Sequence, residues 1–295
     1  MAAFSPADAP PSSPKPRDED LDFFGLTHVG LVRQENQDHY LYCTLHKTMR
    51  VWGTSLPNPE LLELPSQRLA SFGLVADGVG GRGGGEEASR AALETIANYV
   101  IHTMQLFYTR DARNHELFLE QLTDGVRQTH EAVLARARSS GEHQGPATTL
   151  TAMIAMWPHL FVVHVGDSRC YRFRDGKVQQ LTRDQTMAQD LVDSGVLPAE
   201  RAKSSPFAHV LSSSLGGRTT EPVVTKTDLK PHDVILMCTD GLTKHVPDVR
   251  IAERLQRLES SEQAARALLD DALEAGGSDN VTVLVLRAIV RPEGT

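Results

Sequence analysis

The chain has 295 residues, of which 40% are hydrophobic, and a formal net charge of −8 with an isoelectric point near 5.8. That length and composition allow one large buried core, so we expect a single main domain. The acidic balance argues against a nucleic-acid-binding protein, because no basic excess can replace phosphate counterions, but it does not exclude a phosphorylated protein substrate.

The N-terminal residues 1–20 are rich in proline, alanine, serine and charged residues, which predicts a disordered tail. They lack the apolar stretch of a secretory signal peptide. The most apolar region, residues 150–165, is interrupted by Pro158 and His159, which favours two strands joined by a turn over a membrane span. Three widely spaced cysteines are typical of reduced thiols. We therefore expect a monomeric cytoplasmic protein that binds neither membranes nor nucleic acid.

Strand and helix patterns alternate along the rest of the chain. A short apolar run at Leu74–Ala76 precedes two segments with apolar residues at helical spacing, around residues 93–104 and 119–133. Two strands around Pro158 follow, and then a hairpin closed by an Asp-Gly turn at residues 175–176. Strands joined directly to one another in this way predict mainly antiparallel pairing.

The second half of the chain contains the longest irregular segment, residues 186–220, which we expect to form a functional, flap-like surface excursion. A strand at residues 233–239, helical patterns at 251–258 and 264–272, and a last strand ending near residue 290 complete the domain. Helices in consecutive pairs between groups of strands predict an α+β protein, with sheets packed face to face and helices outside. Residues 291–295 would form a short C-terminal end.

Acidic residues stand at the ends of four apolar runs. Three runs stop at Asp77, Asp167 and Asp240, and a fourth begins just after Asp279. A carboxylate at the tip of a buried strand is costly unless something neutralises it, so four such tips predict one cation site. Since neither paired cysteines nor clustered histidines accompany the acids, oxygen ligands and a hard ion such as Mg²⁺ or Mn²⁺ are expected.

Gly78, Gly80 and Gly83 also fit the G-x-G-x-x-G pattern of a dinucleotide-binding turn. Asp77 would place a negative charge beside the pyrophosphate, and the acid at the expected distance, Glu94, lies inside a helical pattern. A metal bound by Asp77 removes the first objection, and the Gly78 carbonyl could add a ligand where a Cβ would crowd the ion. A metal site is therefore favoured over a nucleotide site or a plain glycine-rich turn.

Arg33 is a candidate phosphate-binding group, because a planar guanidinium can donate two parallel hydrogen bonds to phosphate oxygens. A lone arginine is usually a surface cation, so the assignment depends on the residues that accompany it. In chain order, the set to which Arg33 belongs is Arg33, Asn36 and Asp38; Asp77, Gly78, Gly80 and Gly81; Gly145, Thr148 and Thr149; Val165, Gly166, Asp167, Ser168 and Arg169; Thr239, Asp240 and Gly241; and Asp279 and Asn280. Taken together, these residues resemble the bacterial branch of the PPM (type 2C) metal-dependent Ser/Thr protein phosphatases over residues 22–290.

The resemblance implies a four-layer αββα sandwich with two Mn²⁺ or Mg²⁺ ions in the cleft between the sheets. Asp77 would bridge both ions, Asp240 and Asp279 would complete the coordination of one, and the Gly78 carbonyl would bind the other. Asp167, together with Asp240, would bind a third and weaker ion. A metal-bridging hydroxide would attack phosphoserine or phosphothreonine directly, without a phosphoenzyme.

Further implied roles lie on the substrate side of the site. Arg33 would hold the substrate phosphate, and Asp38, also a metal-site acid, would act through water or a hydrogen bond. His28, His39 and His164 are candidate proton donors to the leaving group, and the sequence does not choose among them. Phosphorylated proteins, including a bacterial Ser/Thr kinase or its targets, are the implied partners. The implied catalytic residues are Arg33, Asp38, Asp77, Asp240 and Asp279.

Several residues depart from the family pattern. Gln37 stands where many relatives have Glu, which would reduce the charge available to the second ion. Residues 45–71 are longer than a minimal member requires and could contact a partner. Gln185 follows Asp184 where relatives often have His, and Ser212–Ser214 replace a more basic stretch. The last two changes fall in or beside the flap-like segment, so they bear on substrate choice more than on the metal.

Three classes of function are compatible with these residues. The leading hypothesis is a metal-dependent phosphoprotein phosphatase. The second is a non-catalytic regulatory module with the PPM fold, which a loss of metal ligands would indicate. The third is a nucleotide-binding oxidoreductase or kinase, which a cofactor titration without binding would exclude.

Overall fold

The structure of the protein, a computed structural model, describes residues 14–49, 64–80, 84–104, 113–139 and 146–289. Within these ranges the chain forms eleven β-strands and seven α-helices. In chain order they are β1 (Leu21–His28), β2 (Asp38–Met49), β3 (Leu64–Val79), α1 (Gly84–Met104), α2 (Arg113–Ser139), β4 (Ala147–Thr148), β5 (Leu150–Met156), β6 (His159–Val165), β7 (Arg169–Arg174), β8 (Lys177–Gln180), α3 (Met187–Asp193), α4 (Ala199–Ala202), β9 (Val223–Asp228), β10 (Val234–Cys238), α5 (Asp240–Thr243), α6 (Asp248–Gln256), α7 (Ser261–Glu274) and β11 (Val281–Ala288).

The strands form two sheets in which every described pairing is antiparallel. One sheet has the strand order β1-β11-β10-β7-β8. The other has the order β2-β3-β5-β6-β9, with the short β4 also paired to β3. Both hairpins predicted from the sequence are present, as β5–β6 around Pro158 and as β7–β8.

Successive residues of the central strands face two different cores, as the two-residue period of a strand requires. On β3, Leu74 and Ala76 pack in the cluster that contains α1 and α2, whereas Val75 packs between the sheets. On β10, Leu236 packs in the cluster that contains α5, α6 and α7, and Met237 packs between the sheets. These strands are apolar on both faces because both faces are covered. The layers are therefore helix, sheet, sheet and helix, which confirms the predicted α+β sandwich.

Residues 14–20 differ from the tail predicted over residues 1–20, because they contact the domain. Arg68 donates hydrogen bonds to the Asp18 carboxylate at 2.7 Å and to the Pro16 carbonyl. Asp20 is buried, and its carbonyl accepts a hydrogen bond from the Ile289 amide at 2.6 Å. Polar contacts make this attachment, so no apolar periodicity indicates it in the sequence. Residues 1–13, the central part of segment 45–71, and residues 290–295 lie outside the described residues.

No helix in the described part of the chain is long and apolar enough to cross a bilayer.

Candidate metal centre

The acids predicted at the strand ends line an open cleft of about 780 Å³. The other lining residues also come from both sheets and their connecting segments. Asp77 is near the end of β3, and Asp167 lies in the turn after β6. Asp240 begins α5, separated from β10 by Thr239 alone, and Asp279 lies two residues before β11. The cleft forms where strands of the two sheets end at the same side of the sandwich, so these four acids meet there although Asp77 and Asp279 are 202 positions apart.

Three acids of the cleft form a close group, because one carboxylate oxygen each of Asp77, Asp167 and Asp240 lies within 4.8 Å of the other two. Burial raises the pKa of Asp77, and the nearby carboxylates of Asp38 and Asp240 raise it further. Burial, followed by the charge of Asp240, also raises the pKa of Asp167. Among the described residues, the buried Oδ1 of Asp240 has no hydrogen-bond partner. A crowded set of carboxylate oxygens with an unpaired buried atom fits a hard divalent cation.

Asp279 lies outside that close group, because two basic side chains hold its carboxylate. Arg33 lies 2.8 Å from Oδ1 through Nε and donates to Oδ2 at 3.0 Å through Nη2. Lys244 donates to the same Oδ2 at 2.6 Å and also lies 2.6 Å from Oδ2 of Asp240. Burial alone would raise the pKa of Asp279, but the hydrogen bonds and charges of Arg33 and Lys244 outweigh it and lower that pKa. The arginine predicted to hold phosphate is thus already paired with a predicted metal ligand.

Asp38 lies beside Asp77, its partner across the β2–β3 pairing, and is almost completely buried. Its Oδ2 accepts hydrogen bonds from the hydroxyls of Thr239 and Thr282, each at 2.7 Å. Its Oδ1 has no hydrogen-bond partner in the described part of the chain. Burial raises the pKa of Asp38 to about 7 despite the two threonine bonds. This position, with one oxygen held and one available, is compatible with the predicted action through water or a hydrogen bond.

Gly78 lines the cleft at a position where any side chain would clash with neighbouring backbone. A Cβ at this position would lie 2.2 Å from the Gly85 carbonyl oxygen and 2.7 Å from that of Gln37. The side-chain amide of Gln37 donates to the Gly80 carbonyl at 3.2 Å, which a glutamate at this position could not do. Gln37 therefore stabilises the glycine-rich turn itself. Gly81 and Gly145, which also belong to the resemblance, lie outside the described residues.

Threonine and serine hydroxyls form hydrogen bonds with the backbone at the end of β3 and with each other. Thr149 Oγ1 accepts a hydrogen bond from the Asp77 amide at 3.0 Å and lies 2.7 Å from Ser168 Oγ. Thr148 Oγ1 donates to the Asp77 carbonyl at 2.8 Å. These contacts join the end of β3 to the turn that carries Asp167, so the motif threonines position the acids.

The three histidines considered as proton donors are absent from the described lining of the cleft. His164 is buried, its Nε2 donates to the Arg183 carbonyl at 3.0 Å, and burial lowers its pKa to about 4. His39 pairs with a serine hydroxyl, and His28 accepts a hydrogen bond from a backbone amide. His209, in the flap-like segment, does line the cleft. Sequence reasoning missed it because a single histidine in an irregular segment has no distinguishing pattern.

Lys244 was also missed, although a pattern could have indicated it. It follows Asp240 by four residues at the start of a helix, and side chains at that spacing lie on the same face. A lysine placed one turn after a predicted metal ligand is therefore expected near it.

Comparison with known proteins gives the family. The family model described as Protein phosphatase 2C matches residues 63–280. The serine/threonine protein phosphatase PstP of Mycobacterium tuberculosis is 38% identical over 211 residues, which cover 72% of this chain and 39% of that protein. This chain therefore spans well under half of the length of that curated relative.

Solved structures agree over a larger part of the chain. The crystal structure of the Mycobacterium tuberculosis serine/threonine phosphatase PstP/Ppp has a TM-score of 0.72 and 31% identity, covering 92% of this chain and 99% of that one. The catalytic domain of PstP in complex with two manganese ions has a TM-score of 0.70 and 30% identity, with the same coverage. Metal dependence is a property of this family. On these grounds the chain belongs to the protein phosphatase 2C (PPM) family, in its bacterial branch.

Proposed function

We propose that this chain is a metal-dependent phosphatase that hydrolyses phosphoserine and phosphothreonine in proteins. The observation that carries the proposal is the approach of Asp77, Asp167 and Asp240 to within 4.8 Å. Three carboxylates at that separation repel one another unless a cation lies among them. The manganese-bound catalytic domain of a relative with a similar fold supports the same chemistry.

The residues that would hold the metal are Asp77, Asp240, Asp279, Asp167 and the carbonyl of Gly78. We infer two Mn²⁺ or Mg²⁺ ions in the core of the site and a third, weaker one near Asp167. When bound, such ions lower the pKa of water and neutralise the charge of the transferred phosphoryl group.

Arg33 would position the substrate. Its side chain is 55% exposed at the cleft, and pairing with Asp279 uses Nε and Nη2. Nη1 takes no part in those two contacts and can donate to a phosphate oxygen. Because Asp279 holds the guanidinium plane, less side-chain freedom is lost when a phosphate binds.

Asp38 would act from beside Asp77 without direct contact with the substrate. Thr239 and Thr282 fix its Oδ2, so Oδ1 points in a defined direction and can accept a hydrogen bond from water. That hydrogen bond would orient the water for attack on phosphorus, which fits the role predicted for Asp38.

We further infer that the substrates include a bacterial Ser/Thr kinase or its targets, and that the protein acts as a cytoplasmic monomer. The relatives are named as serine/threonine phosphatases, which supports phosphoprotein substrates. One chain supplies all the acids described in the cleft, so no second copy is required. The three cysteines are free thiols, which is typical of a reducing compartment. A non-catalytic regulatory module is disfavoured, because the acids of the site are retained.

The test is hydrolysis of a phosphothreonine peptide with Mn²⁺, with EDTA, and by the Asp240→Asn variant with Mn²⁺. We expect activity only in the first condition. Asp175→Asn is a matched control, because Asp175 is an exposed acid in the β7–β8 turn and has a positive φ that asparagine also tolerates. Equal rates in all conditions would contradict the proposed chemistry.

A further inference from the structure

We propose, on the basis of the metal centre proposed above, that Lys244 is an internal counter-ion that competes with a divalent cation for Asp240 and Asp279. Its ammonium group lies 2.6 Å from an oxygen of each carboxylate. Lys244 would thereby weaken the affinity of this chain for its own metal. It would also stabilise the acidic cleft when no divalent ion is bound.

The backbone fixes the position of this lysine. Lys244 is the C-cap residue directly after α5, and its amide donates to the Asp240 carbonyl at 2.8 Å. The four-residue spacing puts both side chains on the same face of the helical turn. Only 20% of the Lys244 side chain is exposed. Lys244 is therefore held between the two acids by the fold and differs from a mobile surface lysine.

A divalent ion and this ammonium group compete for the negative charge of the same two carboxylates. An ion coordinated by Asp240 and Asp279 would lie about 2.0–2.2 Å from their oxygens. The Lys244 nitrogen is 2.6 Å from Oδ2 of each acid, so an ion that shared one of these oxygens would lie within about 5 Å of the ammonium in a partly buried site. Repulsion between like charges at such a distance opposes metal binding. Metal binding at these two acids is therefore weaker while Lys244 stays paired with both, although Oδ1 of Asp240 has no hydrogen-bond partner among the described residues.

Arg33 provides a useful contrast at the same carboxylate. It pairs with Asp279 from the exposed side of the cleft, with 55% of its side chain accessible. Lys244 instead lies between Asp279 and Asp240 and contacts both. The competition is therefore expected to depend on Lys244 and to require both acids.

If Lys244 competes with the metal, removing its charge should raise the affinity for Mn²⁺ and lower the stability of the metal-free protein. In Lys244→Met, Mn²⁺ should bind more tightly, because no ammonium has to be displaced. Without metal the same variant should be less stable, because the two carboxylates lose their shared cation. A lysine with a purely structural role would not give this pattern, since its loss would weaken metal binding and stability together.

The test is calorimetric titration of EDTA-treated and dialysed protein with Mn²⁺, together with thermal unfolding in EDTA and in Mn²⁺. We expect the Mn²⁺ ion that binds to Asp240 and Asp279 to bind about tenfold more tightly in Lys244→Met than in the wild type. We also expect a lower Tm in EDTA and a larger rise in Tm on adding Mn²⁺. Lys244→Arg keeps the charge and should stay near the wild type. Lys177→Met is the matched control, because Lys177 is an exposed lysine in the β7–β8 hairpin.

Further variants keep the test decisive. If Lys244→Met does not fold in EDTA, Lys244→Gln removes the charge but keeps a hydrogen-bond donor, and it should also bind Mn²⁺ more tightly. In an Asp279→Asn background, Lys244→Met should give a smaller gain, because one of the two shared acids is gone. An unchanged or weaker Mn²⁺ affinity in the charge-removing variants would overturn the competition. A wild type that binds no Mn²⁺ would instead contradict the proposed metal centre itself.

Discussion

The acidic cleft has two halves in which the carboxylate pKa values are shifted in opposite directions. In one half, burial and neighbouring carboxylates raise the pKa values of Asp77 and Asp167. In the other half, Arg33 and Lys244 hold Asp279 and lower its pKa. Asp240 belongs to both halves, since it approaches the first two acids and also pairs with Lys244.

This difference shows which part of the site depends on an external cation. The half around Asp77 and Asp167 concentrates negative charge, and neither of these two carboxylates forms an ion pair with a basic side chain among the described residues, so this half requires a cation to be stable when ionised. The half around Asp279 already contains two cations of its own. A metal that binds to Asp279 must compete with that pairing.

The largest expected effect is on catalysis, from a change in the first half. Asp77→Asn keeps the size of the side chain but removes the charge at the centre of the three-acid group. We expect kcat/KM for a phosphothreonine peptide to fall by more than about 100-fold in saturating Mn²⁺, because even residues that only support a metal ligand cost up to that much. Asp175→Asn should keep wild-type activity. Retention of activity in Asp77→Asn would mean that this half does not carry the chemistry.

A smaller effect is expected from the second half, at the residue that faces the substrate. Arg33→Lys keeps the positive charge but loses the planar group that pairs with Asp279 and that we propose to bind phosphate. We expect KM for the phosphopeptide to rise about tenfold, with a smaller change in kcat. Steady-state kinetics at fixed Mn²⁺ measures both values. If KM is unchanged, Arg33 serves only as a counter-ion of Asp279.

The next prediction concerns the hydrogen bonds that hold Asp38 beside the first half. Thr282→Val preserves shape but removes the hydroxyl that donates to Asp38 Oδ2 at 2.7 Å. Loss of a buried hydrogen bond to a carboxylate should lower the free energy of unfolding by about 1–3 kcal/mol. Denaturant unfolding in saturating Mn²⁺ measures the change. Thr225→Val, at an exposed position of β9, should change stability much less, and equal effects would contradict the assigned role of Thr282.

The smallest effect is expected behind the site, at His164. Burial lowers its pKa from 6.5 to about 4, so the unfolded chain binds a proton in the window between these values and the folded chain does not. The contribution of His164 to stability should therefore fall as the pH decreases through this window, by about 1.4 kcal/mol per pH unit at most.

His164→Gln isolates this contribution, because glutamine keeps an amide donor that can reach the Arg183 carbonyl. Unfolding free energies measured between pH 7 and pH 5 should decrease less steeply for the variant than for the wild type. Parallel curves for the two proteins would show that His164 does not titrate in this way. Because Asp38 and the cleft acids are common to both proteins, the difference between the curves reports on His164.

Much of the fold could be predicted from the sequence, because buried strands and amphipathic helices leave regular apolar patterns. The strand-end positions of Asp77, Asp167 and Asp240 were predicted for the same reason, since each follows an apolar run with at most one residue between them. The attachment of residues 14–20 was not predicted, because it depends on polar contacts with Arg68.

The pairing of Asp279 could not be predicted from the sequence either. Arg33 is 246 residues away from it, and only the tertiary structure determines which carboxylate it meets. The resemblance assigned Arg33 to phosphate and Asp279 to metal, but it gave no indication that the two would contact each other. Lys244 was missed as well, although its four-residue distance from Asp240 is a local pattern that could have indicated it.

The most direct measurement of the central claim is calorimetric titration of EDTA-treated wild type and Asp77→Asn with Mn²⁺, followed by analysis of stoichiometry. If the strand-end acids form a metal centre, the wild type should bind two ions per chain in a saturable manner. Asp77→Asn should lose the tight binding while keeping its folded far-UV circular dichroism spectrum. No saturable binding by the wild type, or identical binding by both folded proteins, would contradict the claim.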